Sequence, residues 1–331
     1  MCKKNILIFS AAAFLTGVLC FCFKLWQFSV SPLLRQNTKI IVSFGTSTTE
    51  LANQLQQDGI LSSARWFIFL VRLQGAERKL KAGEYAIDFG TTAGDLIKKI
   101  ITGEVIKYTF TLVEGWTFRQ VIKALGSNPH LQHTFTALEE SEIMKKIGHP
   151  GEHPEGKFAP DTYVFSRGIK DTELLLMAYE LMKKHLDLLW LNRSTNLPYV
   201  DSYAALIVAS LIEKEATNYE EKRLMSGVIL NRLAKKMLLQ IDPSAIYGLG
   251  NKFSGKLRKK DLSINNPYNL YLNKGLPPTP ICMPGLDSIR AVFDPAITPY
   301  FYYVSRRDGT HEFSTSLREQ NIAIKKYLLG K

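Results

Sequence analysis

Two carboxylates stand at the end of an almost wholly apolar segment, in Ala209-Ser-Leu-Ile-Glu213-Lys-Glu215-Ala216. At about 100° per residue of a helix, Glu213 falls over Leu206, Ala209 and Ser210, whereas Glu215 falls over Val208, Leu211 and Ile212. The small Ala209 and Ser210 leave room for a substrate to approach Glu213, and the bulkier Leu211 and Ile212 crowd Glu215. Desolvation raises a carboxyl group's pKa, and the negative end of a helix dipole pushes the same way. Such a group can hold a proton near neutral pH and give it to a leaving oxygen. The plainer alternative is ion pairing with Lys214 or Lys222 at a helix end. Pattern alone does not separate the two.

Other constellations offer less. The chain has no phosphate-cradling Gly-Lys-Ser/Thr loop, no Gly-x-Ser-x-Gly elbow and no Cys-x-x-Cys pair. His149 and His153 have a metal-compatible spacing, but Pro150 and Gly151 break any helix between them and no third ligand stands out. They read as solvated loop histidines, and neither a metal nor a cofactor is expected. Cys2, Cys20 and Cys22 lie in or beside the apolar N-terminus, which leaves Cys282 without a partner for an intramolecular disulfide. Its thiol reads as inert.

The elements that must position the two carboxylates follow from periodicity and caps. Asp201 or Ser202 caps a helix that is apolar almost all round from Ala204 to Ile212, and so is central and buried. A capping box, Thr217-x-x-Glu220, predicts a long helix carrying Met225, Ile229, Leu233 and Met237. Before these come a strand from Phe110 into a helix near Thr117, and a helix over Leu174–Leu189. After them, Asn265 to Gly285 is rich in Asn, Pro and Gly, a long loop of the kind a compact domain keeps for binding. Tyr300–Val304 and His311–Phe313 form a hairpin about the Asp308-Gly309 turn, and Ser316–Leu329 closes the chain as a helix. Residues 106–331 thus read as a mixed α/β domain.

Upstream, residues 39–105 form a small α+β module: a strand at Lys39–Ser43, a capping box from Ser47 to Glu50, and a helix ending near Gly59. A second helix from Ser62 or Ser63 ends at Gly75, a returning strand covers Gly83–Asp88, and Thr92 with Asp95 caps another helix. Residues 27–38 read as a linker. Residues 1–26 hold the run Ile6–Phe23, about 18 residues without a charge, which is enough to span a bilayer. The small residues Ser29-Val-Ser31 precede Pro32, a poor residue after a cleavage site, so the segment reads as an uncleaved transmembrane anchor. Lys3 and Lys4 on one side nearly balance Lys24, Arg35 and Lys39 on the other, so charge does not orient it.

The chain has 331 residues, 42 Lys and Arg against 30 Asp and Glu, for a net charge of +12. Such a balance suits an acidic partner: nucleic acid, anionic lipid or a carboxylate-bearing polymer. Scattered basic residues, without interleaved aromatics and behind an anchor, argue against nucleic acid.

Several long motifs then converge on one family. Ala209-Ser-Leu-Ile-Glu213-Lys-Glu215-Ala216, Asn231-Arg-Leu233 and Leu239-Gln240-Ile-Asp242-Pro-Ser-Ala-Ile-Tyr247 resemble the catalytic region of the MltG (YceG-like) endolytic murein transglycosylases. So do Pro267-Tyr268-Asn269-Leu-Tyr271, Gly275-Leu-Pro-Pro278, Pro284-Gly285 and His311-x-Phe313. Upstream, Lys81-Ala-Gly83-x-Tyr85, Val113-Glu-Gly-Trp-Thr117 and Glu155-Gly-x-Phe158-x-Pro160-Asp161-Thr-Tyr163 fit as well, in order. One departure is Glu319-Gln320-Asn321, where the family pattern has Glu-His-Asn. It leaves the role of Gln320 open.

The resemblance implies an α+β protein with a single span in the inner (cytoplasmic) membrane. A LysM-like module and a catalytic domain would lie on the extracytoplasmic side. It implies Glu213 as the acid/base. Glu215, Gln240, Asp242, Tyr268 and Asn269 would line the cleft, with Tyr247 and Tyr271 as aromatic faces for sugar rings. Glu155, Asp161 and Tyr163 would be cleft residues or the hydrogen-bonded corner of a turn. The implied partners are peptidoglycan glycan strands, the membrane and peptidoglycan synthases. A lytic transglycosylase needs one carboxyl group, because the substrate's own muramyl 6-hydroxyl attacks. A water-using muramidase would need a second carboxylate, for which Asp242 and Glu215 stand available. A non-catalytic glycan-binding scaffold would tolerate Gln at position 213.

Overall fold

A computed structural model describes residues 2–34, 36–135, 137–194 and 196–330, with side chains from residue 12 onward. Arg35 and the side chains of Lys3 and Lys4, which entered the charge balance, lie outside the described residues. The chain divides into two compact units: residues up to Tyr108 with Val164–Gly168, and Thr109–Tyr163 with Ile169–Lys331.

The first unit begins with α1 (Cys2–Val30), followed by β1 (Thr38–Val42), α2 (Thr48–Gln57), α3 (Ala64–Leu73), β2 (Gly83–Ile87) and α4 (Ala93–Thr102). Among the described residues, α1 alone is long and apolar enough to cross a membrane, over Ala12–Val30. It runs past Gln27, where the linker was expected to begin, because Leu25 and Phe28 pack onto the core of this unit and Phe21 meets the ring of Trp66. β1 and β2 pair antiparallel with Ile40 opposite Tyr85. In this unit the predicted Ser47–Glu50 capping box forms, and Thr92 with Asp95 forms another. Phe67, Tyr85, Leu96 and Ile100 fill the interior.

In chain order come β3 (Lys107–Leu112), α5 (Phe118–Gly126), α6 (Glu140–Lys146), β4 (Asp161–Ser166) and α7 (Asp171–Leu191). Next are α8 (Ser202–Glu213), α9 (Tyr219–Ala234), α10 (Asp242–Leu249), α11 (Leu286–Phe293), β5 (Tyr302–Ser305), β6 (His311–Ser314) and α12 (Leu317–Tyr327). β3 pairs with β4, and β5 with β6.

The centre of the second unit is α8, buried from Ala205 to Ile212 and packed on α7, α9 and α11. Leu206, Val208, Leu211 and Ile212 meet Met182, Met225, Ile229, Ile289 and Val292 in one apolar cluster. Each such side chain contributes roughly 1.5–3 kcal/mol. Asp201 caps α8 by accepting from the Ala204 amide at 2.7 Å.

The cap of α9 lies one residue later than the Thr217–Glu220 box predicts. Asn218 accepts from the Glu221 amide at 2.9 Å, and an Asn side chain is at least as good a cap as Thr. The Glu221 side chain holds His311 through its backbone amide at 2.9 Å and its ring at 3.0 Å. The Asn231-Arg232 motif staples α9 to the C-terminal hairpin. Asn231 donates to the carbonyls of Thr298 and Tyr300, while Arg232 donates to those of Phe301 and Leu239.

Candidate active site

Glu213 is the last residue of α8, and only 8% of its side chain is exposed. Three donors converge on one oxygen, Oε2. These are the Lys222 ammonium at 3.3 Å, the Gly285 amide at 3.0 Å and the Ser288 hydroxyl at 2.5 Å. None of them engages Oε1. The Lys222 side chain is 4% exposed, so the ion pair is a buried one. Pairing with Lys222, set out above as the alternative to chemistry, is part of the site itself.

Two expectations about Glu213 change. Ala209 and Ser210 were read as leaving room for a substrate, but the chain's own loop fills that room. The Ile281 amide donates to Ser210 Oγ at 3.0 Å, and the Cys282 thiol to the Ser210 carbonyl at 3.3 Å. Small side chains on α8 let this loop close in and bring Gly285 to Glu213. Nor does the dipole of α8 act alone on Glu213. Gly285 is the N-cap of α11, so the positive end of that helix meets the negative end of α8 at the same carboxylate.

Glu114 belongs to this cluster and is the residue the carboxylate reading missed. The segment carrying it is tied to the same loop, Gly115 donating to the Met283 carbonyl at 2.8 Å and Met283 to that of Trp116 at 2.7 Å. The Lys214 ammonium reaches the Gly115 carbonyl at 3.3 Å. Any side chain at position 285 would run into Glu114 Oε1, so Gly285 carries one carboxyl on its Cα face while its amide holds the other. Partial burial raises the Glu114 pKa, and the charge of Glu213 raises it further.

Glu215 lies beyond the end of α8, so its helical projection does not apply; its amide donates to the Ile212 carbonyl in the closing turn. It has a separate set of partners. Burial pushes its carboxyl up to about 7, and Asp242 adds to the rise, against a hydrogen bond from Tyr303. Asp242 is exposed and accepts from the Tyr271 hydroxyl. Gln240, next to it, is exposed, adopts a left-handed backbone (φ 53°) and donates its amide to the Leu270 carbonyl.

A third group forms around Glu155, which accepts from the Phe118 amide and the Tyr247 hydroxyl, each at 2.9 Å. Burial pushes its carboxyl up to about 7. Tyr247 meets Tyr268 edge to face at 4.9 Å, and the Tyr268 hydroxyl pairs with Thr279. A cavity of about 520 Å³ opens here, walled by Glu155, Tyr247, Arg119, Gln120, Ile246 and Phe253.

Three expected cleft residues sit elsewhere. Asn269 is fully buried, and its amide group is spent on the Leu262 and Ile264 carbonyls and the Tyr271 amide; it frames the long loop. Tyr163 is buried within β4, with its hydroxyl donated to the Ala159 carbonyl at 2.6 Å. Asp161 is exposed at the start of β4 and accepts from its neighbour's amide. His149 stacks on Tyr179 with ring centres 3.8 Å apart, and His153 accepts from the Glu155 amide.

Residues 40–326 match the YceG-like family. The chain belongs to that family. It is 29% identical over 329 residues to an endolytic murein transglycosylase of Bacillus subtilis, covering 90% of this chain and 86% of that one. It is 27% identical to a protein of the same name from Streptococcus pneumoniae, but spans only 53% of that chain's length. A crystal structure of a YceG-like protein from Listeria monocytogenes aligns with a TM-score of 0.57 and 25% identity, covering 87% of this chain and 99% of the other.

The departure from the YceG-like pattern at Gln320 is structural. Its amide donates to the Tyr303 carbonyl at 2.8 Å, and so reaches the Glu215 group through the backbone of Tyr303. Glu114 and Gly285 lie within motifs that carry the YceG-like resemblance, which is the signal that pointed to them. Ser288 and Tyr303 had none, because nothing in their local sequence says which carboxylate they face.

Proposed function

We propose that this chain is a membrane-anchored endolytic lytic transglycosylase that cuts peptidoglycan glycan strands between MurNAc and GlcNAc. The observation that carries it is Glu213, buried and held through one oxygen, with the other oxygen not engaged by those donors. The names of the Bacillus and Streptococcus relatives support the reaction class.

In this reading Glu213 Oε1 delivers a proton to the glycosidic oxygen as the bond to muramic acid C1 breaks. Positive charge builds at C1, and the nearby carboxylates favour it. Glu213, now ionised, accepts the proton of the muramyl 6-hydroxyl as that oxygen closes onto C1. The product is a 1,6-anhydro end, and internal cuts of this kind would terminate strand elongation beside the synthases.

The strand–helix–helix–strand order of the first unit supports a LysM-like module, and α1 supports a single membrane span. A peptidoglycan substrate, as in the names of the relatives, is what supports the inner membrane and an extracytoplasmic side for the rest. A C-terminal reporter that is active only in the cytoplasm would overturn that topology.

A water-using muramidase is the second reading, favoured by the presence of Glu114 beside Glu213. Full-length protein in detergent, incubated with purified peptidoglycan, distinguishes the two by mass spectrometry with and without borohydride. Anhydro ends on internal fragments are expected. Borohydride-reducible muramic ends as the main product would replace the transglycosylase with the muramidase.

A further inference from the structure

A proton donor held by a buried ammonium poses a problem. Lys222 already balances the charge of Glu213, so protonating Glu213 in that pair alone would strand a buried positive charge. A third charged group must offset Lys222. The groups around Glu213 and Glu114 from each packed element are Lys222 on α9, Ser288 and Asp287 on α11, Lys214 after α8, and the buried Cys282 thiol of the loop, which burial keeps neutral. Lys214 is exposed and is turned to the Gly115 carbonyl. Asp287 is paired with Arg290 at 3.5 Å. Glu114 has no hydrogen bond or ion pair among the described residues, although two backbone bonds fix its segment against the loop that holds Glu213.

We propose that Glu114 is a positioning residue for the proton-transfer step: its carboxylate, seated on Gly285, supplies the negative charge that offsets Lys222 and lets Glu213 carry the proton it donates. Two carboxyls and one ammonium leave one negative charge in excess, so the cluster takes up one proton and reaches neutrality. That proton passes to the leaving oxygen and is replaced by the proton of the 6-hydroxyl. The cluster ends the cycle as it began, with one proton and one negative charge between the two carboxyls. Partial burial and the charge of Glu213 both raise the Glu114 carboxyl, as mutual repulsion across Gly285 requires.

The inference rests on the transglycosylase reading, and the test separates the two. Release of anhydro ends from purified peptidoglycan would be followed against pH for the full-length wild type, Glu114→Gln and Glu114→Asp, with melting temperatures alongside. Without the Glu114 charge, a proton on the cluster leaves it positive, so the protonated form is lost at lower pH. The alkaline limb of the Glu114→Gln profile should therefore move down by about one pH unit, with about tenfold lower rate on that limb and recovery on the acid side. Glu114→Asp keeps the charge one methylene further back, and its limb should move the same way by less. If Glu114→Gln does not fold, the Asp profile decides. Profiles that superimpose on wild type, or that fall equally at every pH, overturn the proposal. A wild type that yields no anhydro ends overturns the reading beneath it instead.

Discussion

Glu213 and Glu215 are two residues apart, and both are withdrawn from water at the end of one buried helix. Their partners are opposite in kind. Glu213 meets an ammonium, an amide and a hydroxyl on one oxygen, whereas Glu215 meets a tyrosine hydroxyl and the repulsion of Asp242. Glu215 shows what burial does when little opposes it, and in Glu155 burial outweighs two donors: both are pushed up to about 7. On the proposed mechanism, burial alone does not make a carboxyl the working acid. What distinguishes Glu213 is a fixed orientation with one oxygen left to act.

The sharpest way to break this comparison is to exchange each carboxyl for an amide. Glu213→Gln should lower strand cleavage by about 10²–10⁴-fold with glycan binding retained, and Glu215→Gln should cost far less. Cleavage assays that return the reverse order would make Glu215 the acid.

Next in size is Lys222→Met, which leaves the Glu213 charge buried without its counter-ion and should destabilise the second unit by about 3–5 kcal/mol. Combining it with Glu213→Gln should recover most of that loss in denaturant titration. Failure to recover would mean that Lys222 matters for packing rather than charge.

The raised carboxyls give a pH signature. A carboxyl whose pKa is about 7 when folded and 4.5 when unfolded binds protons more tightly in the native state, so stability falls as pH rises between those values. Glu155→Gln should remove a dependence on the order of 3 kcal/mol, so that melting at pH 5 and pH 8 differs less than in wild type. An unchanged difference would remove Glu155 from the account.

The smallest effect concerns the helix that delivers Lys222. Asn218→Ala should cost about 1 kcal/mol by calorimetry, and Thr217→Ala only a few tenths, because Asn218 makes the cap.

Much of this was legible because it is local. Ser47, Thr92 and Asp201 announced their helices, and the all-round apolar run of α8 announced its burial. What stayed hidden was whatever distant segments supply. Periodicity carried Glu215 onto a helix that ends before it, and the smallness of Ser210 looked like space for a ligand until the loop at Ile281 filled it. Asn269 was placed in the cleft by the resemblance alone, yet the carbonyls of Leu262 and Ile264 claim its side chain. The short elements α6, α10 and α11 carry too few turns to show a period.

The anchoring of Glu213 has a consequence for biosynthesis. Its carboxylate enters the chain at residue 213, but two of the three groups that hold it arrive only at residues 285 and 288. A nascent chain emerging N-terminus first carries the membrane segment and the carboxyl long before the loop that orients it. Contacts of such sequence separation form late in folding. Maturation is thus timed by the final stretch of translation, and a chain cut short of residue 285 holds a glutamate at the right address with nothing to aim it.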